Sequence, residues 1–176
     1  MYRFRFVLGG VLVLAVLGVL VFLYISYMSD SKDAVSESLL QAPEFSLPDA
    51  SGKIIDLESL EGEVKVVTFW ASWSPYTRDE LTSLSRLKEE YGKKVSVAAL
   101  DRDVNPAEGR VYLESLGLGD VLVFVYDQND EYFKKVNGYA MPETLFVNED
   151  GKIVAHQHGP MSYEDMRAQI ERMLQN

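Results

Sequence analysis

The stretch that most constrains this chain runs from Val64 to Leu81. Its first part holds Val64, Val66, Val67, Thr68 and Phe69, the β-branched and aromatic content of a buried strand. The run passes directly into WASWSPYTRDEL, Trp70 to Leu81. Leu81, Leu84, Leu87 and Tyr91 then fall on one helical stripe, and Gly92 stops it. The loop is therefore a strand-to-helix connection with two tryptophans in it. Ser74 is a good N-cap there, Pro75 suits the first helical position, and Asp79 with Glu80 puts acid near the positive end of the helix.

Flanking segments extend the pattern. Pro43 and Pro48 discourage helix, and Ser51-Gly52 reads as a hairpin turn between short extended pieces. Val95 to Leu100 is a second strand, and Asn105-Pro106 opens a helix that ends near Gly117. Val121 to Val125 is a further strand, and Asp130 to Val136 a short helix. Thr144–Val147 and Lys152–His156 alternate as a hairpin around Glu149-Asp150-Gly151, before a last helix from Tyr163 to Leu174. The expected class is α/β: a central mixed β-sheet flanked by helices.

Phe6 to Tyr27 carries no charge, and at ~1.5 Å of rise per residue a helix of this length crosses a bilayer core. Arg3 and Arg5 precede it, and Asp30 and Asp33 follow it. The positive-inside rule then keeps the N-terminus cytoplasmic and exports the rest. The expected organisation is one N-terminal transmembrane anchor (1–28), a polar linker (29–41) and one domain (42–176). The expected location is the cell membrane, single-pass, with the C-terminal domain extracytoplasmic. Residues 29–176 hold 15 basic and 27 acidic side chains, a net charge of −12. Nucleic acid is a poor partner for such a surface, because binding it needs cations that release phosphate counterions.

Three blocks, APEFSLPDASGK, WASWSPYTRDE and YAMPETLFVNEDGKIV, make residues 42 to 174 resemble membrane-anchored thioredoxin-like proteins of the TlpA and redoxin type. The nearest look is to the thiol-disulfide oxidoreductases of cytochrome c maturation. The resemblance implies a thioredoxin-like fold, a cis peptide bond between Met141 and Pro142, and a substrate groove formed by Trp73, Tyr76 and the backbone beside Pro142. It also marks Glu80, three residues after Thr77, as resembling a carboxylate that tunes proton transfer. Glu143, in the triplet Pro142-Glu143-Thr144, is the second such acid and a contact for a client. Without thiols to tune, the dipole interaction is the simpler role for Glu80, and a solvated loop position is the simpler one for Glu143.

Ser74 and Thr77 stand where that family has its two cysteines, and the chain has no cysteine at all. A thiolate attacks the partner disulfide and a second thiol resolves the product. Hydroxyls neither form disulfides nor ionise near neutral pH without an activating base. No catalytic residue is therefore assigned, and no cofactor is implied. His156 and His158 alternate on one strand face and could share a metal, but the sequence identifies no third ligand, so no metal site is assigned. The expected function is a non-redox module that binds an exported peptide or protein client. The alternative is membership of the thiol-disulfide oxidoreductase class, active with cysteines restored or with a partner's thiol.

Overall fold

A hairpin opens the domain, β1 (Ser46–Pro48) paired antiparallel with β2 (Ile54–Asp56). Its turn is built as the sequence indicates: Gly52 sits at φ +84°, and the Asp49 carboxylate accepts from the Ser51 and Lys53 amides. β3 (Val64–Trp70) follows and is buried along its whole length. It is the middle strand of a five-stranded sheet. β4 (Val95–Asp101) runs parallel to it on one side, and β6 (Glu143–Asn148) antiparallel on the other. β5 (Val123–Tyr126) adds parallel to β4, and β7 (Ile153–His158) adds antiparallel to β6, giving the order β5-β4-β3-β6-β7. In this computed structural model the described residues are 40–118 and 121–175, with 18, 19 and 21.

Four helices cover the sheet: α1 (Thr77–Tyr91), α2 (Pro106–Leu116), α3 (Glu131–Lys135) and α4 (Tyr163–Leu174). Two of the helix starts follow from local chemistry. The Asn105 side chain accepts from the Ala107 amide with Pro106 behind it, and the Ser162 hydroxyl accepts from the Asp165 amide.

Alternation along the strands divides the core in two. Val67, Phe69, Leu100 and Leu145 face one way, under Phe45, Leu57, Tyr132 and Phe133. Val66, Trp70, Ala99 and Phe146 face the other, under Leu81, Leu84, Met166 and Ile170. Each fully buried large aliphatic side chain contributes about 1.5–3 kcal/mol of transfer free energy, which makes both faces necessary to the fold. Consecutive residues of β6, Glu143 and Thr144, thus point to opposite faces.

The expected anchor over Phe6–Tyr27 lies outside the described residues apart from 18, 19 and 21. Among the described residues, no helix is long and apolar enough to cross a membrane.

Candidate functional site

After Trp70 the chain does not enter the helix at once. It makes two turns, with the Ser74 amide donating to the Ala71 carbonyl (3.1 Å) and the Thr77 amide to the Ser74 carbonyl (3.3 Å). Asp103 clamps the loop from the end of β4, accepting from both the amide (2.9 Å) and the hydroxyl (3.1 Å) of Ser72. The expected cap at Ser74 is therefore corrected. The helix begins at Thr77, its flanking residue is Tyr76, and no side chain caps it. The two turns occupy the residues that local propensity assigns to the helix start.

Ser74 and Thr77, the positions matching the family's cysteines, are both buried. Thr77 Oγ1 donates to the Ala71 carbonyl at 2.8 Å, which ties the first helical turn back to the loop. Ser74 Oγ has no hydrogen-bond partner. A hydroxyl nucleophile needs a base within hydrogen-bond reach, and Ser74 lacks one. In contrast, Trp73 is 67% exposed and Tyr76 50% exposed. The loop hides its small polar side chains and displays its large aromatic ones.

The other wall comes from the turn before β6. Phe69 pairs with Glu143 in the register of β3 and β6. The residues preceding Glu143, including the cis-bonded Met141–Pro142 pair, thus emerge at the same end of the sheet as the loop after Trp70. Tyr139, on this turn, is 75% exposed. Trp73, Tyr76, Met141 and Pro142 thus lie on the two segments that meet at this end of the sheet.

Glu80 and Glu143 are among the buried carboxylates behind this end. Glu80, one turn into α1, is 2% exposed. Its Oε1 accepts from Thr144 Oγ1 (2.7 Å) and lies 3.2 Å from Thr68 Oγ1, and the two hydroxyls are 2.9 Å apart. Oε2 has no partner. Burial pushes the carboxyl above its ordinary range, and the Thr144 and Thr68 hydroxyls, with a smaller effect of the Met161 backbone, offset part of that. Glu80 lies in the first turn of the helix, where the dipole acts, with its carboxyl buried against Thr68 and Thr144 of the sheet.

Glu143 is 0% exposed, which corrects the expected solvated loop position. It is the first residue of β6, not part of the turn. Its Oε2 accepts from the Tyr139 (2.9 Å) and Ala140 (2.8 Å) amides. Its Oε1 shares a 2.5 Å hydrogen bond with His156 Nε2 and lies 3.1 Å from His158 Nδ1. Burial alone would raise this carboxyl, but the two amides and the two imidazoles outweigh it and hold the group below its ordinary range.

Asp101, at the end of β4, is a further buried acid with no signal in the sequence. Burial pushes it up to about 7, its Oδ1 accepts from the Asp103 amide, and its Oδ2 has no partner. Among the tyrosines, Tyr132 is in the core and Tyr139 on the surface, with Tyr91 and Tyr112 partly buried.

A mixed sheet of this order, with an active loop at the end of its central strand and a cis-proline turn beside it, defines a thioredoxin-like domain. A crystal structure described as a thiol:disulfide interchange protein DsbE from Chlorobium tepidum shares the fold. Its TM-score is 0.72 and its identity 22%, over 77% of this chain and 96% of that one. The redoxin family profile matches residues 25–174, and the chain belongs to the redoxin family. Among individual relatives, it is similar to thiol:disulfide interchange protein DsbE of Allochromatium vinosum, 32% identical over 132 residues, 74% of this chain and 71% of that protein. It is also similar to thiol-disulfide oxidoreductase ResA of Bacillus cereus, 24% identical over 152 residues, 86% of each chain.

Proposed function

We propose that this protein is a membrane-anchored, extracytoplasmic member of the redoxin family that holds an extended peptide or protein segment without thiol–disulfide turnover. The uncharged run Phe6–Tyr27, with Arg3 and Arg5 before it, supports the anchor and its orientation. A chain without cysteine cannot itself form the mixed disulfide through which its relatives' named activity runs.

One observation carries the binding reading: a loop pinned by Asp103 and Thr77 turns Trp73 and Tyr76 outward at the sheet end where Met141–Pro142 emerges. Rigid aromatic side chains give contact area at low entropic cost. Backbone beside the proline turn can pair with an extended segment, with side-chain pockets adding selectivity.

The test is photo-crosslinking from position 76 of the full chain in intact cells. Recurrent capture of one or two exported proteins, lost in Met141→Asp, supports the reading. Absence of specific capture by a folded, membrane-localised protein overturns it.

A second reading, oxidoreductase chemistry with a partner's thiol or restored cysteines, is favoured by Glu80, a buried acid of raised pKa one turn beyond Thr77. Under it, the Ser74→Cys/Thr77→Cys variant exchanges disulfides with the same captured proteins.

A further inference from the structure

The hairpin of β6 and β7 completes a ligand set that the sequence leaves one short. Glu143 pairs with His158 across the two strands, and His156 stands two residues away on the same face. Each of Glu143, His156 and His158 offers one ligand atom within 4.8 Å of the other two, and Glu143 Oε1 lies 2.5 Å from His156 Nε2 and 3.1 Å from His158 Nδ1. We propose that these three side chains bind one divalent transition-metal ion of the zinc class, with a fourth position open to the surface beside the Tyr139–Pro142 turn.

Four features point that way. First, the donor set of two imidazoles and one carboxylate suits zinc, cobalt, nickel or copper, whereas calcium and magnesium require oxygen-rich shells. Second, the carboxylate is oriented before any ion arrives. The Tyr139 and Ala140 amides hold Oε2, which leaves Oε1 facing the two histidines, the kind of outer hydrogen bonding that ligating carboxylates depend on.

Third, His158 Nδ1 is a buried ring nitrogen 3.1 Å from Glu143 Oε1 but poorly aligned to it, an electrostatic contact short of a well-formed hydrogen bond. A simple carboxylate–imidazole pair would satisfy that atom, and a metal ion would do so too. Fourth, the imidazoles are 22% and 31% exposed, so an ion has a route in and a solvent-facing side. Three protein ligands with an open position is the arrangement of reactive rather than purely structural zinc.

Tetrahedral coordination with bonds of about 2.0–2.2 Å separates ligand atoms by roughly 3.3 Å. The 3.1 Å separation of Oε1 from His158 Nδ1 is close to this, and the 2.5 Å separation from His156 Nε2 must widen by about 0.8 Å, within reach of a partly exposed ring. The set rests on the register of β6 and β7 and is independent of whether the groove holds a client.

The experiment is a Co2+ titration of the full-length protein in detergent micelles after chelator treatment, followed by Zn2+ displacement. The expected result is one equivalent of Co2+ with the strong visible bands of a four-coordinate site, bleached by Zn2+. Affinity should fall at least about tenfold in His158→Asn and in His156→Gln. Both positions are partly exposed, so these variants should keep the wild-type circular dichroism, which Glu143→Gln need not. The proposal is overturned if the wild type shows no such bands, or if a folded His156→Gln/His158→Asn variant binds Co2+ as tightly as the wild type. The latter outcome would assign the binding to the acidic surface.

Discussion

Glu80 and Glu143 lie on opposite faces of the same sheet, both within one residue of the Thr144 backbone or its hydroxyl, and both out of solvent. Glu80 meets two neutral hydroxyls and keeps one oxygen unpartnered, so burial dominates and its pKa is raised. Glu143 meets two amides and two imidazoles, which together favour the anion. Both carboxyls are out of solvent, and Glu80 lies the deeper of the two. That depth, together with the number and charge of the donors, sets the direction in which each pKa moves.

Glu143→Ala gives the largest expected effect. It leaves two inward amides and a histidine ring without their acceptor, and unmet donors to a charged group cost more than neutral ones. A loss of about 3 kcal/mol is expected from urea unfolding at pH 7. A loss below about 1 kcal/mol would mean that water reaches those donors and that the contrast with Glu80 is overstated.

Thr144→Val comes next, because the hydroxyl at 2.7 Å is the shorter of the two that Glu80 receives. The expected cost is about 1–2 kcal/mol at neutral pH, with the Glu80 pKa driven further up. Titration of the Glu80 carboxyl by carbon-detected NMR checks it; an unmoved titration would remove the hydroxyls from the account.

The pH dependence of stability sharpens the comparison, because the two groups act with opposite sign. Glu80 has a raised folded value, so its contribution is complete below about 4.5 and is lost as pH rises through that folded value. Asp101 acts in the same sense, over a window from its ordinary 3.8 up to about 7. Glu143 has a lowered folded value, so its contribution is present above 4.5 and is lost as pH falls through the folded value. Glu80→Gln should therefore flatten part of the decline above pH 4.5, with the remaining slope up to about pH 7 belonging to Asp101. Glu143→Gln should flatten the acid limb instead. Denaturant midpoints measured from pH 3 to pH 8 for both variants check this, and a shared change in the same limb would contradict it.

The contrast also shows which parts of the site were legible in the sequence. β3 was, because Val64 to Phe69 offers no alternative to a buried strand, and α4 was, because Met166 and Ile170 share a stripe. The start of α1 was misplaced by two residues. Ser74-Pro75 is a good local cap signal, but the bonds from Ser72 to Asp103 and from Thr77 to Ala71 are tertiary, and they fix the loop as turns. Glu143 looked solvated for a related reason. Nothing in Pro142-Glu143-Thr144 reports that β7 runs on to His158, or that a register shift between Phe146 and Val147 sets the pairing across the hairpin. Thr68 and Thr144 gave no signal of their own, since a threonine in a strand is ordinary until its partner across the sheet is known.

Ser74 supplies the smallest expected effect and the most discriminating one for Glu80. Its hydroxyl is buried without a partner, so removing it discards a desolvated polar atom and loses no hydrogen bond. Ser74→Ala should change stability by no more than about 0.5 kcal/mol, whereas Thr77→Val, which breaks the bond to the Ala71 carbonyl, should cost about 1 kcal/mol. Neither should move the Glu143 titration, which belongs to the other face. If Ser74→Ala raised the Glu80 pKa, the serine would be reaching the carboxyl through water. The unpartnered oxygen of Glu80 would then have a donor, and Glu80 would differ from Glu143 in the kind of donor it has and not in lacking one.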